Sequence, residues 1–167
     1  MSYHEHKQLS PKSVNCAVII ISDSRTHEND ESGKFIMQAL SKSGHKVLTY
    51  TILKNDADSI HQTIDKLLNE NELQIIITSG GTGISQRDVT IETLLPVMQK
   101  TMDGFGELFR HLTHKEINTG SIMSRATAGV SRGKVIICLP GSLRAVSLAM
   151  EQIILPEIGH LIREATR

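Results

Sequence analysis

Apolar and polar positions fall in blocks along this chain, and the period of the pattern switches from block to block. Residues 14–21 form a nearly continuous apolar run rich in β-branched side chains, the pattern of a strand covered on both faces. The run ends in Ser22-Asp23-Ser24-Arg25, a polar strand exit. Phe35, Ile36, Ala39 and Leu40 then recur at helical spacing over residues 30–43, with Gly44 as a C-terminal stop. Residues 46–53 predict a strand. Ile60, Ile64, Leu67 and Leu68 make one face of a helix opened by Asp56 or Asp58.

Residues 73–78 predict another buried strand, which runs out into a glycine-rich loop. Ile91, Leu94, Leu95 and Met98 describe a short helix after Asp88. Gly104 opens a further helix, with Phe105, Leu108, Phe109 and Leu112 expected inward and Glu107, Arg110, His111 and His114 outward. Residues 120–133 are polar and rich in Gly, Ser and Arg, and are expected to form a loop. A strand over 135–139 and a long helix from Ala145 to about Glu164 close the chain. Strands alternating with helices predict an α/β fold with a mostly parallel sheet and helices on both faces. Ligands of such sheets gather at the carboxyl ends of the strands. Small polar residues cluster at the exits Ser22-Asp23-Ser24, Ser79-Gly80-Gly81-Thr82-Gly83 and Pro140-Gly141-Ser142, so a site is expected where these meet.

The stretch Thr78-Ser79-Gly80-Gly81-Thr82-Gly83 is the strongest chemical signal. Its glycines remove the Cβ atoms that would hold a ligand away and permit positive φ, so backbone N–H groups can face an anion. The hydroxyls of Thr78, Ser79 and Thr82 are expected to add donors. A steric strand-to-helix turn is the alternative. The loop lacks the Gly-Lys-Ser/Thr ending of a P-loop and the G-x-G-x-x-G of a dinucleotide fold.

Composition narrows the classes. A chain of 167 residues suits one domain, read here as a flexible polar N-terminal tail over 1–12 and a single domain over 13–167. Eighteen basic residues balance eighteen acidic ones, and there are three Phe, two Tyr and no Trp. That argues against nucleic acid as a partner. No apolar run approaches the roughly 20 residues of a membrane span, and no signal-peptide core opens the chain. The expected location is cytoplasmic. Cys16 and Cys138 sit in apolar runs without metal-ligand spacing, the pattern of small buried hydrophobes in a reducing compartment. His111 and His114 beside Glu107 read as a solvated helix face rather than a metal site.

Six blocks in order resemble the MoaB/Mog family of molybdenum-cofactor biosynthesis proteins. They are Val18-Ile19-Ile20-Ile21-Ser22-Asp23, Thr78 to Gly83, Arg87-Asp88-Val89-Thr90, Gly104-Phe105-Gly106-Glu107-Leu108-Phe109-Arg110, Ser124-Arg125-Ala126-Thr127-Ala128-Gly129 and Leu139-Pro140-Gly141-Ser142. The last two look closest to the MoaB branch. The resemblance implies a three-layer α/β/α molybdopterin-binding fold in a homotrimer or homohexamer. It implies a terminal phosphate of molybdopterin in the glycine loop and, in active members, transfer of AMP from Mg-ATP to that phosphate. Contact with other cofactor-biosynthesis proteins follows in the same way. A non-catalytic molybdopterin-binding or carrier oligomer is the alternative.

The resemblance also assigns residues. Asp88, in the family's Arg-Asp-Val-Thr block, is a candidate catalytic residue and Mg²⁺ ligand; a helix N-cap or an ion pair with Arg87 competes. Asp56 is the second candidate for both roles, with a helix N-cap as its competing reading. Here the run Leu53-Lys54-Asn55-Asp56-Ala57 departs from the family's Val-Pro-acidic pattern, with Asn55 in the proline's place. Ser79, Gly80, Gly81, Thr82 and Gly83 are candidates for binding phosphate. Ser22, Asp23, Pro140, Gly141 and Ser142 are expected in the same crevice, and Ser124 and Arg125 in the substrate region. An Arg suits phosphate because its planar fork donates two hydrogen bonds at once. Glu107 and Arg110 remain open between a functional pair and a surface pair.

Overall fold

A computed structural model of the chain describes residues 7–167. The tail expected over 1–12 therefore lies outside the described residues as far as residue 6. The rest of it packs on the C-terminal helix, where Lys7 Nζ meets Glu157 Oε1 at 2.7 Å.

Six strands form one sheet in the order β2-β1-β3-β6-β5-β4. β1 (Asn15–Ile21), β2 (Lys46–Leu53), β3 (Ile75–Ser79) and β6 (Lys134–Leu139) run parallel. β5 (Thr127–Ser131) and β4 (Lys100–Thr101) add an antiparallel edge. The mostly parallel three-layer α/β fold is as expected. α1 (Glu31–Lys42), α4 (Asp103–Ile117), α5 (Leu143–Ala149) and α6 (Leu155–Ala165) cover one face, where Ile36, Leu40 and Phe109 pack on Val18, Ile77 and Ile137. α2 (Ala57–Leu68) and α3 (Thr90–Leu94) cover the other, with Ile60, Ile64 and Leu94 on Ile19, Ile76 and Ile136. The central strands are buried on both faces, which is why they read as unbroken apolar runs.

The chain departs from the sequence expectation in four places. β5 lies inside the stretch expected to be a loop. Its residues are small because they are crowded: a Cβ on Gly129 would collide with Lys100 O and with Met98. Leu108, expected inward, is 44% exposed, while Phe105 and Phe109 carry the buried face of α4. The short helix after Asp88 tightens into a 3₁₀ turn at Leu95–Val97, leaving Leu95 exposed. The last helix begins at Leu143 and contains a π-helical turn, Met150–Ile154, between α5 and α6.

That final segment also corrects the count of apolar runs. Leu143–Ala165 is 23 residues long and contains an 18-residue window with a mean hydropathy of 1.3, enough by length and composition to cross a bilayer. It is the core helix of the fold instead, with Val146, Met150, Ile154, Ile158 and Ile162 buried against the sheet. Burial pushes the thiols of Cys16 and Cys138 up to about 12, so both stay protonated and act as small hydrophobes.

Candidate functional site

Parallel pairing puts the ends of β1, β3 and β6 side by side: Ile20 is opposite Ser79, and Ser79 is opposite Leu139. The strand exits therefore converge. Gly80 N donates to Leu139 O at 2.9 Å, and the α-carbon of Gly80 lies 3.3 Å from where a Cβ on Gly141 would stand. Ser32 Oγ at the start of α1 donates to Gly141 O at 2.9 Å and ties a helix to this junction. The result is a cleft of about 650 Å³ at the carboxyl ends of the strands.

The glycine loop forms its floor. Gly80 has φ +105° and Gly81 φ +65°, a region that side chains rarely adopt. A Cβ on Gly80 would strike Ile21 O, so glycine is required there sterically as well. Thr90 fastens the loop from α3: its Oγ1 donates to Gly80 O at 2.8 Å, and its N–H donates to Gly81 O at 2.9 Å. Among the described residues, no acceptor engages the N–H groups of Gly81, Thr82 or Gly83. Three consecutive backbone donors are thus left open, a feature shared with backbone nests that receive anions.

Two of the expected hydroxyl donors are used elsewhere. Thr78 Oγ1 donates to Ile137 O at 3.4 Å and Ser79 Oγ to Pro140 O at 3.0 Å, so both brace the sheet. Thr82 is also buried. The donors that the loop leaves open are backbone N–H groups.

Ser22, Asp23, Asp88, Ser124, Arg125 and Ser142 all line the same cleft as the loop, together with Pro140 and Gly141. Ser22 Oγ accepts from Arg25 N at 3.1 Å, and Ser142 Oγ caps α5 by accepting from Ala145 N at 3.3 Å. The Asp88 carboxylate lies 2.6 Å from where a Cβ on Gly83 would stand, directly beside the loop. Arg125 Nη1 donates to Gly83 O at 3.2 Å, while its Nη2 pairs with Glu92. Burial raises the pKa of Glu92, but the hydrogen bond and charge of Arg125 outweigh that and hold it below the usual carboxylate range.

Asp56 does not join them. It is the N-cap of α2, accepting from Ser59 N at 2.8 Å and Ser59 Oγ at 2.6 Å, and it is absent from the cleft lining. Those bonds also lower its pKa. The residue at the β2 exit that reaches the cleft is Asn55, whose N–H donates to Asp23 Oδ1 at 3.0 Å. Glu107 and Arg110 lie exposed on α4 and do not line the cleft.

The sequence reading missed Asn55, Asp30 and Arg144 as cleft residues. Asp30 is fully buried, caps α1 through Gly33 N at 2.9 Å and accepts from Tyr50 Oη at 2.6 Å. Arg144 Nε pairs with Glu116 Oε2 at 2.7 Å across the cleft wall. A signal for Asn55 was present: β2 is a fourth parallel strand, so its exit opens on the same side as the other three.

The family model described as a probable molybdopterin-binding domain matches residues 17–160. The chain belongs to the MoaB family. Molybdenum cofactor biosynthesis protein B of Bacillus cereus is 44% identical over 168 aligned positions, covering 100% of this chain and 99% of that one. A crystal structure of a molybdenum cofactor biosynthesis protein B superposes with a TM-score of 0.90 at 43% identity, covering 93% of this chain and 98% of the other. The tungsten cofactor synthesizing protein MoaB from Pyrococcus furiosus follows at a TM-score of 0.86 and 33% identity, over 95% and 100% of the two chains. As a MoaB-family protein, the chain carries its molybdopterin-binding domain over nearly its whole length. The strand-end cleft is the concave feature that the glycine loop lines.

Proposed function

We propose that this chain binds molybdopterin in the strand-end cleft and adenylylates it with Mg-ATP, activating the pterin for metal insertion. One observation carries the reading: the open N–H groups of Gly81, Thr82 and Gly83 sit beside Asp88 and Arg125 in one cleft. The loop would hold the terminal phosphate of the pterin. An oxygen of that phosphate attacks the α-phosphorus of ATP, a new phosphoanhydride bond forms, and the bond between the α- and β-phosphates breaks to release pyrophosphate. No protein nucleophile is needed, so the chain contributes positioning and charge neutralisation.

The donor set fits a magnesium ion. Asp88 offers a carboxylate at the loop, and Mg²⁺ takes one or two protein oxygens, completing its shell with water and phosphate. When bound, the ion would neutralise charge on the phosphates as they react. Asp56 is a weaker candidate for this role because its carboxylate is engaged in capping. A homotrimer or homohexamer in the cytoplasm, supplied by other cofactor-biosynthesis proteins, completes the proposal.

A specific feature favours the second reading, a molybdopterin carrier without turnover. The β2 exit presents the neutral Asn55 to the cleft, while the neighbouring carboxylate of Asp56 is absent from its lining. Incubating the purified chain with molybdopterin and ATP, with and without Mg²⁺, separates the two. Mg²⁺-dependent pyrophosphate release with an AMP–pterin product establishes the transferase. Tight pterin binding without product establishes the carrier.

A further inference from the structure

Asn55 Oδ1 is the one buried side-chain oxygen or nitrogen among the described residues with no hydrogen-bond partner. It is enclosed against the glycine loop, where a Cβ on Gly81 would collide with it and with Thr90 Oγ1. A buried acceptor left unpaired costs its full desolvation, and replacing it with an apolar group relieves that cost. Folding alone therefore does not select this side chain. The other end of the amide differs. Nδ2 makes no hydrogen bond to any described residue, and Asn55 lines the cleft between Asp23 and the loop.

From this we infer that Asn55 is a ligand-contacting specificity residue, with its Nδ2 donating to the oxyanion seated on the glycine loop. The inference rests on the molybdopterin reading above. A carboxylate in the same place would repel that oxyanion and would need a divalent cation between them. A neutral amide needs none. Asn55 therefore places no Mg²⁺ requirement on binding of the phosphate end, and the Asp88 carboxylate beside Gly83 is assigned to the metal-dependent step that follows. Turned over, the amide would bury Nδ2 against the loop and aim Oδ1 at the cleft, and binding would then lean on a cation.

Pterin fluorescence titrations with molybdopterin, in EDTA and in Mg²⁺, test this on the full chain and on Asn55→Ala and Asn55→Asp. The unmodified chain should bind equally in both buffers. Asn55→Ala should bind roughly 10-fold more weakly in both, as expected for one lost hydrogen bond to a charged group. Its Tm should be no lower than that of the unmodified chain, an outcome a purely structural role would reverse. Asn55→Asp should lose roughly 10-fold or more in EDTA and recover in Mg²⁺. Undiminished binding by Asn55→Ala overturns the inference and leaves the molybdopterin reading intact. Binding by the unmodified chain only in Mg²⁺ overturns it too, in favour of the turned amide. No binding by the unmodified chain in either buffer overturns the molybdopterin reading, and this inference with it.

Discussion

Arg125 Nη1 donates to Gly83 O at 3.2 Å, joining the segment before β5 to the far end of the glycine loop. The guanidinium is shared: Glu92 on α3 holds its other nitrogen. Arg125, proposed above to neutralise a bound phosphate, thus also holds the glycine loop in position.

Replacing Arg125 by Ala should weaken molybdopterin binding by about 10-fold or more, since hydrogen bonds to charged groups contribute about 1.5–3 kcal/mol. Stability should change by no more than about 1 kcal/mol, because the Glu92 side chain is 54% exposed and solvent screens the pair. The pH dependence follows from the lowered pKa of Glu92. The contribution of the pair is complete above the ordinary glutamate value of about 4.3 and is lost as the pH falls through the depressed one. Thermal melts of the unmodified chain and Arg125→Ala across acidic pH check this. Curves that stay parallel would remove the pair from the account.

Asp88→Asn should abolish turnover while leaving molybdopterin bound. Only the metal-dependent step needs the charge, and the loop N–H groups beside Asp88 are untouched. Pyrophosphate release and pterin fluorescence report the two properties separately. Equal loss of both would take Asp88 out of the catalytic role.

Asp56 separates capping from catalysis. Asn is as good an N-cap as Asp, so Asp56→Asn should keep both Tm and turnover, whereas Asp56→Ala should lower Tm through the lost bonds to Ser59. Loss of turnover in a fully stable Asp56→Asn variant would restore Asp56 as a metal ligand.

Gly80→Ala combines two faults, a positive φ and a collision with Ile21 O. The conformation alone costs about 1–2 kcal/mol, and each kcal/mol lowers Tm by about 2–4 °C in a domain of this size. Calorimetry should show at least that loss, with no anion binding in the variant that remains folded.

Tyr50→Phe removes the hydrogen bond to the buried Asp30 carboxylate at the foot of the cleft. It should cost roughly 1.5–3 kcal/mol. Burial, the bond to Asp30 and its charge all raise the Tyr50 pKa above its ordinary value of 10. The stability this lends is present below pH 10 and lost as the pH rises towards the folded-state value. The unmodified chain should therefore lose stability in alkali, and Tyr50→Phe should not show that slope.

The central strands and the glycine loop were legible because burial on both faces leaves an apolar run, and the positive φ of Gly80 and Gly81 needs glycine. The exits at Ser22, Ser79 and Pro140 could be placed together because parallel strands end on one side of a sheet. β5 was hidden because Ala128 and Gly129 are small for packing reasons, which erases the periodicity of a strand. The motif around Asn55 and Asp56 was read by its acidic residue, which pointed to Asp56.

By itself, the sequence determined the layers, the family's motif blocks and the glycine loop at a strand exit, since these depend on local patterns of size and polarity. Only the tertiary structure decided which neighbouring side chain serves the cleft. Whether Asn55 or Asp56 turns inward depends on where β2 ends beside Asp23 and on how Asp56 caps α2 through Ser59, contacts made between segments distant in the chain as well as adjacent to it. The same holds for Thr78 and Ser79, whose hydroxyls look like ligand donors until β6 and its exit supply the carbonyls of Ile137 and Pro140 that occupy them.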